Sequence, residues 1–107
     1  MAARTIVSVP ARAKRGQIID VKALVGHVME TGFRHTETGA TIPRDIIRLF
    51  TCAYNGVEVF RADFQPAIAA NPLVEFSTIA TESGRLLFRW TGDNGFAAEA
   101  SAEIAVE

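Results

Sequence analysis

The end of the chain alternates. In EASAEIAV, residues 99–106, Ala100, Ala102, Ile104 and Val106 fall on one side of an extended backbone, and Glu99, Ser101, Glu103 and Ala105 fall on the other. A period of two fits a half-buried strand and cannot supply the stripe that an amphipathic helix needs. GRLLFRW at 84–90 repeats the plan, with Leu86, Phe88 and Trp90 opposite Leu87 and Arg89. Between the two lies TGDNGF, whose Asn94-Gly95 pair tolerates positive φ and predicts a tight C-terminal hairpin. Upstream, GQIIDVKALV sets Ile19, Val21, Ala23 and Val25 against Asp20 and Lys22, and IIRLFTCAYNGVEVFRADF breaks at Asn55-Gly56 into a second hairpin from about Ile46 to Phe64. RTIVSV near the start and PLVEFSTIAT complete a set of seven short strands. The Pro-bounded connection QPAIAANP has room for one helical turn but not for a helix with its own core face. The expectation is an all-β, immunoglobulin-like antiparallel β-sandwich of about seven strands, without internal repeat or linker.

Bulk properties narrow the function. At 107 residues, 49% of them hydrophobic, residues 1–107 make one sandwich domain with a sizeable core and no room for a second. Eleven Lys and Arg against twelve Asp and Glu leave a formal charge of -1, so there is no basic excess to neutralise phosphates, and nucleic acid is excluded as a partner. A lone cysteine, Cys52, excludes an internal disulfide framework. MAARTIVSVPARAKRG has no apolar stretch of signal-peptide length, and nothing in the chain approaches a membrane span. From residues alone the expectation is a cytoplasmic protein with no membrane partner.

One stretch invites chemistry. HVMETGFR, residues 27–34, gathers imidazole, thioether, carboxylate and hydroxyl directly after an alternating apolar run. A metal site needs three or four convergent donors, whereas this chain has two histidines, His27 and His35, and one cysteine on a different strand. That set is too sparse to outweigh a structural role. Cys52 alternates with Phe50 and Tyr54 in mid-strand, where a thiol is a small buried hydrophobe; as a nucleophile it would need exposure and a base such as His27. No nucleophile elbow, phosphate loop or dinucleotide fingerprint is present. The arginines, Arg34 and Arg44 among them, suit either a solvated strand face or an interface. Simple alternation places Phe60 and Phe64 opposite Val57 and Val59, which leaves both faces of that hairpin partly apolar and hints at a partner. Three classes stand at this point: a binding subunit, a small cysteine- or metal-dependent enzyme using Cys52 and His27, and a self-associating adaptor.

Longer segments carry a resemblance. RGQIIDVKALVGHVMETGFR, then IPRDIIRLF, YNGVEVFRADFQPAIAANP and SGRLLFRWTGDNG are together similar to the SoxZ family of bacterial thiosulfate oxidation over nearly the full length. The most specific pieces are His27, Met29, Glu30, Thr31 and Gly32, the Pro43-Arg44-Asp45 turn, and Asn71-Pro72. Val28 stands where that family usually has proline, and Trp90 lies further from Asp93 than the usual spacing. The resemblance implies a non-catalytic subunit with neither metal nor cofactor. It implies pairing with a SoxY-type carrier whose C-terminal Gly-Gly-Cys-Gly-Gly arm holds sulfur intermediates covalently, and transient contacts with the other Sox enzymes. It also implies a periplasmic location, reached by export together with the signal-bearing carrier, in place of the cytoplasmic reading. This chain ends AEIAVE and has no such arm, so Cys52 is not the carrier thiol by motif. The partner-binding candidates are His27, Met29, Glu30, Arg34, Arg44, Phe60 and Phe64, with the HVMETG stretch read as a shaped loop in which Gly32 relieves a turn while His27 and Met29 pack or face a partner.

Overall fold

Alternation makes strands, and the strands bury their apolar faces against one another. The computed structural model describes residues 3–66 and 68–107. Its strands are β1 (Thr5–Ser8), β2 (Arg12–Ala13), β3 (Ile18–Val25), β4 (Ile47–Tyr54), β5 (Val57–Asp63), β6 (Leu73–Ile79), β7 (Gly84–Gly92) and β8 (Ala97–Val106). They form a three-stranded sheet ordered β1-β3-β6 and a five-stranded sheet ordered β2-β8-β7-β4-β5. All pairings are antiparallel except the short β2, which runs parallel to the end of β8. This is the immunoglobulin-like sandwich expected from the sequence, with one more strand. Two residues show no periodicity, which is why β2 cannot be seen in advance.

The predicted inner faces are the inner faces. Ile19, Val21, Ala23 and Val25 of β3, and Leu86, Phe88 and Trp90 of β7, are all buried. Phe50 of β4 is the hub, with ring centroids 5.2 Å from Trp90, 6.3 Å from Phe88 and 6.1 Å from Phe60. At one edge Phe60 of β5 stacks on Phe76 of β6, 4.3 Å apart and 5° from parallel, so this pair joins the two sheets. Both hairpins turn at the anticipated dipeptides. Asn55 and Gly56 have φ of 49° and 83°, and Asn94 and Gly95 have φ of 59° and 73°. The second turn is wider than a two-residue link: Asp93–Gly95 form a 3-10 turn closed by the Phe96 N–H donating to the Asp93 carbonyl at 3.1 Å. In 65–72 the Ile68 N–H reaches the Gln65 carbonyl at 3.0 Å; Ala67 lies outside the described residues.

The reading of the β4–β5 hairpin is corrected. Register shifts between Cys52 and Ala53, so Cys52 pairs with Phe60 while Tyr54 pairs with Val57. Val59 is the extra residue of a bulge. The bulge puts Phe60 on the same inward side as Cys52, and Phe64 after β5 is only 8% exposed. The outer face here is charged, with Arg61 paired to Glu58 at 3.1 Å and Arg89 to Glu99 at 2.7 Å. Phe60 and Phe64 thus give this hairpin no outward aromatic surface, and the apolar side chains it leaves exposed are Val57 and Val59.

Candidate functional site

Residues 26–46, between β3 and β4, leave the sandwich and return as a narrow finger. Its root is fixed by backbone bonds. The Gly26 N–H donates to the Arg4 carbonyl at 2.8 Å; the His27 N–H donates to Asn71 Oδ1 at 3.0 Å, and the His27 carbonyl accepts the Asn71 N–H at 2.7 Å. Glu30 and Asp45 then exchange both backbone bonds at 2.8 Å, closing the neck. Further out the Ile42 N–H donates to the Arg34 carbonyl, His35 bridges Thr41, and the strands reverse through Thr36–Ala40 with Gly39 at φ 87°.

The HVMETG side chains hold this root. The His27 side chain is 5% exposed and meets the Phe96 ring edge-on at 4.7 Å. Its Nδ1 accepts the Met29 N–H at 2.9 Å, which places the proton of a neutral ring on Nε2, 3.6 Å from Asp45 Oδ1. Met29 adopts a left-handed φ of 52°, unusual for a side chain of its size, and the His27 bond helps maintain it. Met29 is itself 5% exposed, and its Sδ accepts the buried Ile47 N–H at 3.3 Å. Of the two roles open to His27 and Met29, the structure gives them packing. Their side chains present almost no surface.

Ion pairs brace the flanks. Glu30 and Arg34 pair four residues apart, with Arg34 Nε 3.1 Å from Glu30 Oε1. Hydrogen bonding from Arg34 holds the Glu30 carboxyl below its ordinary range, and the same contact raises Arg34. Arg44 forks onto Asp93 through bonds of 2.8 and 2.9 Å, and Asp93 Oδ2 also accepts the Ile46 N–H at 3.2 Å. Asp93 is lowered first by the Arg44 hydrogen bonds and further by the backbone donor. Gly32, at φ 88°, lets the finger pass this staple: a Cβ there would stand 2.9 Å from Arg44 Cβ.

The seven candidates therefore divide. His27, Met29, Glu30, Arg34 and Arg44 come together at one end of the sandwich, and Arg44 shares a surface cleft with Phe64, Arg48 and Pro66. Phe60 lies apart, in the stack with Phe76. Phe64 joins the core, leaving little of it for a partner to touch. Sequence reasoning gave no bracing role to Asn71 and Asp93, whose side chains tie the finger to the 65–72 connection and the β7–β8 turn, and did not count Val28 or Phe33, 69% and 77% exposed, among the candidates. A phenylalanine beside glycine in an otherwise polar stretch was the available signal for Phe33.

Cys52 is fully buried, and desolvation pushes its thiol up to about 12, far from the thiolate a nucleophile requires. Among the described residues no three His, Cys, Asp or Glu side chains converge as metal ligands. No helix among them is long and apolar enough to cross a membrane.

Comparison with known proteins adds the lineage. The family profile described as "Sulphur oxidation protein SoxZ" matches residues 6–103. No curated protein sequence matches the chain. Among solved structures, a superoxide reductase (neelaredoxin) from Ignicoccus hospitalis superposes with a TM-score of 0.73 at 22% identity, covering 98% of this chain and 82% of that one. The sulfur carrier protein SoxY from Chlorobium limicola f thiosulfatophilum gives 0.67 at 14% identity, covering 96% and 78%. A putative superoxide reductase from Thermotoga maritima gives 0.68 at 19%, covering 96% and 85%. At these identities the structural likeness is one of fold.

Proposed function

The chain belongs to the SoxZ family of sulphur oxidation proteins, and on that premise we propose that it is the non-catalytic subunit of a sulfur-carrier complex. Its partner is a SoxY-type chain that carries sulfur intermediates on a C-terminal Gly-Gly-Cys-Gly-Gly arm between oxidising enzymes. The pair works in the periplasm, this chain being exported together with the carrier. The observation that carries this reading is the finger: its root is held by hydrogen bonds from His27, Met29 and Asn71, while Val28, Phe33, Arg34 and Arg44 remain outside. A rigid mount holding apolar and cationic side chains in water fits recognition. A mobile carrier arm offers few fixed contacts of its own, and a braced surface beside it supplies them. The buried thiol speaks against the enzyme alternative.

Co-expression with a Gly-Gly-Cys-Gly-Gly-ended carrier and native mass spectrometry test the pairing. The expected result is a one-to-one complex, and a chain that ignores the carrier yet turns over thiosulfate alone overturns the proposal. Fractionation of cells making the chain with and without the carrier's export signal tests the location.

A further inference from the structure

The two outer faces of the sandwich differ in kind. On the five-stranded sheet, ion pairs such as Arg89–Glu99 and Arg85–Glu103 lace neighbouring strands, as befits a wet surface. On the three-stranded sheet stand Ile6, Ile18, Leu73 and Ile79, each more than half exposed, half of the eight large hydrophobic side chains that are exposed among the described residues. Strand register orders that face. At one end Leu24 lies between Ile6 and Leu73, and at the other Ile18 neighbours Ile79. Between these apolar ends run two polar rows: Lys22 beside Glu75, then Asp20 beside Ser77, whose hydroxyl donates to it at 2.7 Å.

On β3 and β6 this order is symmetric about its middle, the Val21–Phe76 pair, while β1 flanks only the Leu24 end. We propose that the face pairs with the same face of a second copy of this chain, about a two-fold axis that lies in the interface, perpendicular to β3 and over Val21. Such an axis sets Leu24 against Ile18 of the second copy and Leu73 against Ile79. It also sets Lys22 against Asp20 of the second copy, twice over. The other two-fold arrangement, with the axis along β3, opposes Lys22 to Lys22 and is disfavoured by like charge. Charge thus selects both the occupant and its direction. Strands ~4.8 Å apart rising ~3.4 Å per residue make a face of roughly 15 by 25 Å, so two copies cover roughly 750 Å², the size of a weak, transient contact. The dimer is therefore concentration-dependent. It uses no residue of the finger and leaves that surface free.

Sedimentation velocity over a concentration series tests it, with far-UV circular dichroism confirming that each variant folds. The wild type should dimerise. Lys22→Asp and Asp20→Lys should each weaken the dimer ~10-fold or more, and the double swap Asp20→Lys/Lys22→Asp should recover most of that loss, because only then do opposite charges face each other again. A chain that stays monomeric at every concentration overturns the proposal, as do single reversals without effect or a double swap no better than either single. A wild type that dimerises but ignores the carrier upholds this contact and removes the functional reading, whereas a carrier-binding chain that never self-pairs does the reverse.

Discussion

Met29 shows how a residue chosen for its chemistry can be present for its shape. Its thioether accepts a buried N–H, and its backbone takes a conformation that glycine would adopt more cheaply. Met29→Leu keeps the volume and removes the acceptor, so chemical denaturation should register a loss of about 1 kcal/mol without loss of fold. His27→Ala should cost more, since it strips the Met29 N–H of its partner and leaves a hole beside Phe96. Cys52 yields a prediction of opposite kind. Native protein should resist a thiol reagent at neutral pH and react only as it unfolds. The sign of its pH dependence follows from the raised pKa: the folded state holds the thiol proton more tightly, so its contribution is intact below the unfolded value of 9.0 and declines as pH rises from there through about 12. Denaturant midpoints of wild type and Cys52→Ala should converge over that alkaline range. Alternation with Phe50 and Tyr54 was the sequence signal for a buried Cys52. The roles of His27 and Met29 had no such signal, because the groups they satisfy belong to residues 2 and 18 positions away.

At the level of elements, the strands obeyed their alternation except where register intervened. One extra residue at Val59 moved Phe60 to the inner side, and no pattern in VEVFRADF announces a bulge. The finger is the larger surprise. The HVMETG stretch, read as a shaped loop, lies on one side of a paired projection over 26–46 that is stapled to the β7–β8 turn by Arg44 and Asp93. That staple is acid-labile in a defined direction. Asp93 has a depressed pKa, so its contribution is complete above the ordinary carboxylate range and is lost as pH falls through its lowered folded value. Thermal melts from pH 7 downward should show wild type losing stability over that acid range, and Asp93→Asn should start lower and lack that part of the loss. A variant with an unchanged acid limb would mean that the staple contributes nothing to it.

For the whole molecule, the extents of 60 × 24 × 18 Å exceed the roughly 34 Å spanned by the ten residues of β8, as a projecting finger requires. In the proposed complex, Phe33→Ser should weaken carrier binding ~10-fold or more while leaving the melting temperature of the isolated chain nearly unchanged, since Phe33 is 77% exposed. Affinity by calorimetry and stability by melting separate the two effects, and unchanged affinity would take Phe33 out of the interface. By itself, the sequence determined the all-β class, the inward faces of β3, β7 and β8 and both hairpin turns, because side-chain period and positive-φ dipeptides are properties of neighbouring residues. Only the tertiary structure decided that Phe60 and Phe64 turn inward, that His27 and Met29 brace a finger, and that aliphatic rows gather on the three-stranded face. Those outcomes depend on register and on bonds between residues far apart in the chain, and hydrogen-bond satisfaction and charge act across space without regard to sequence distance.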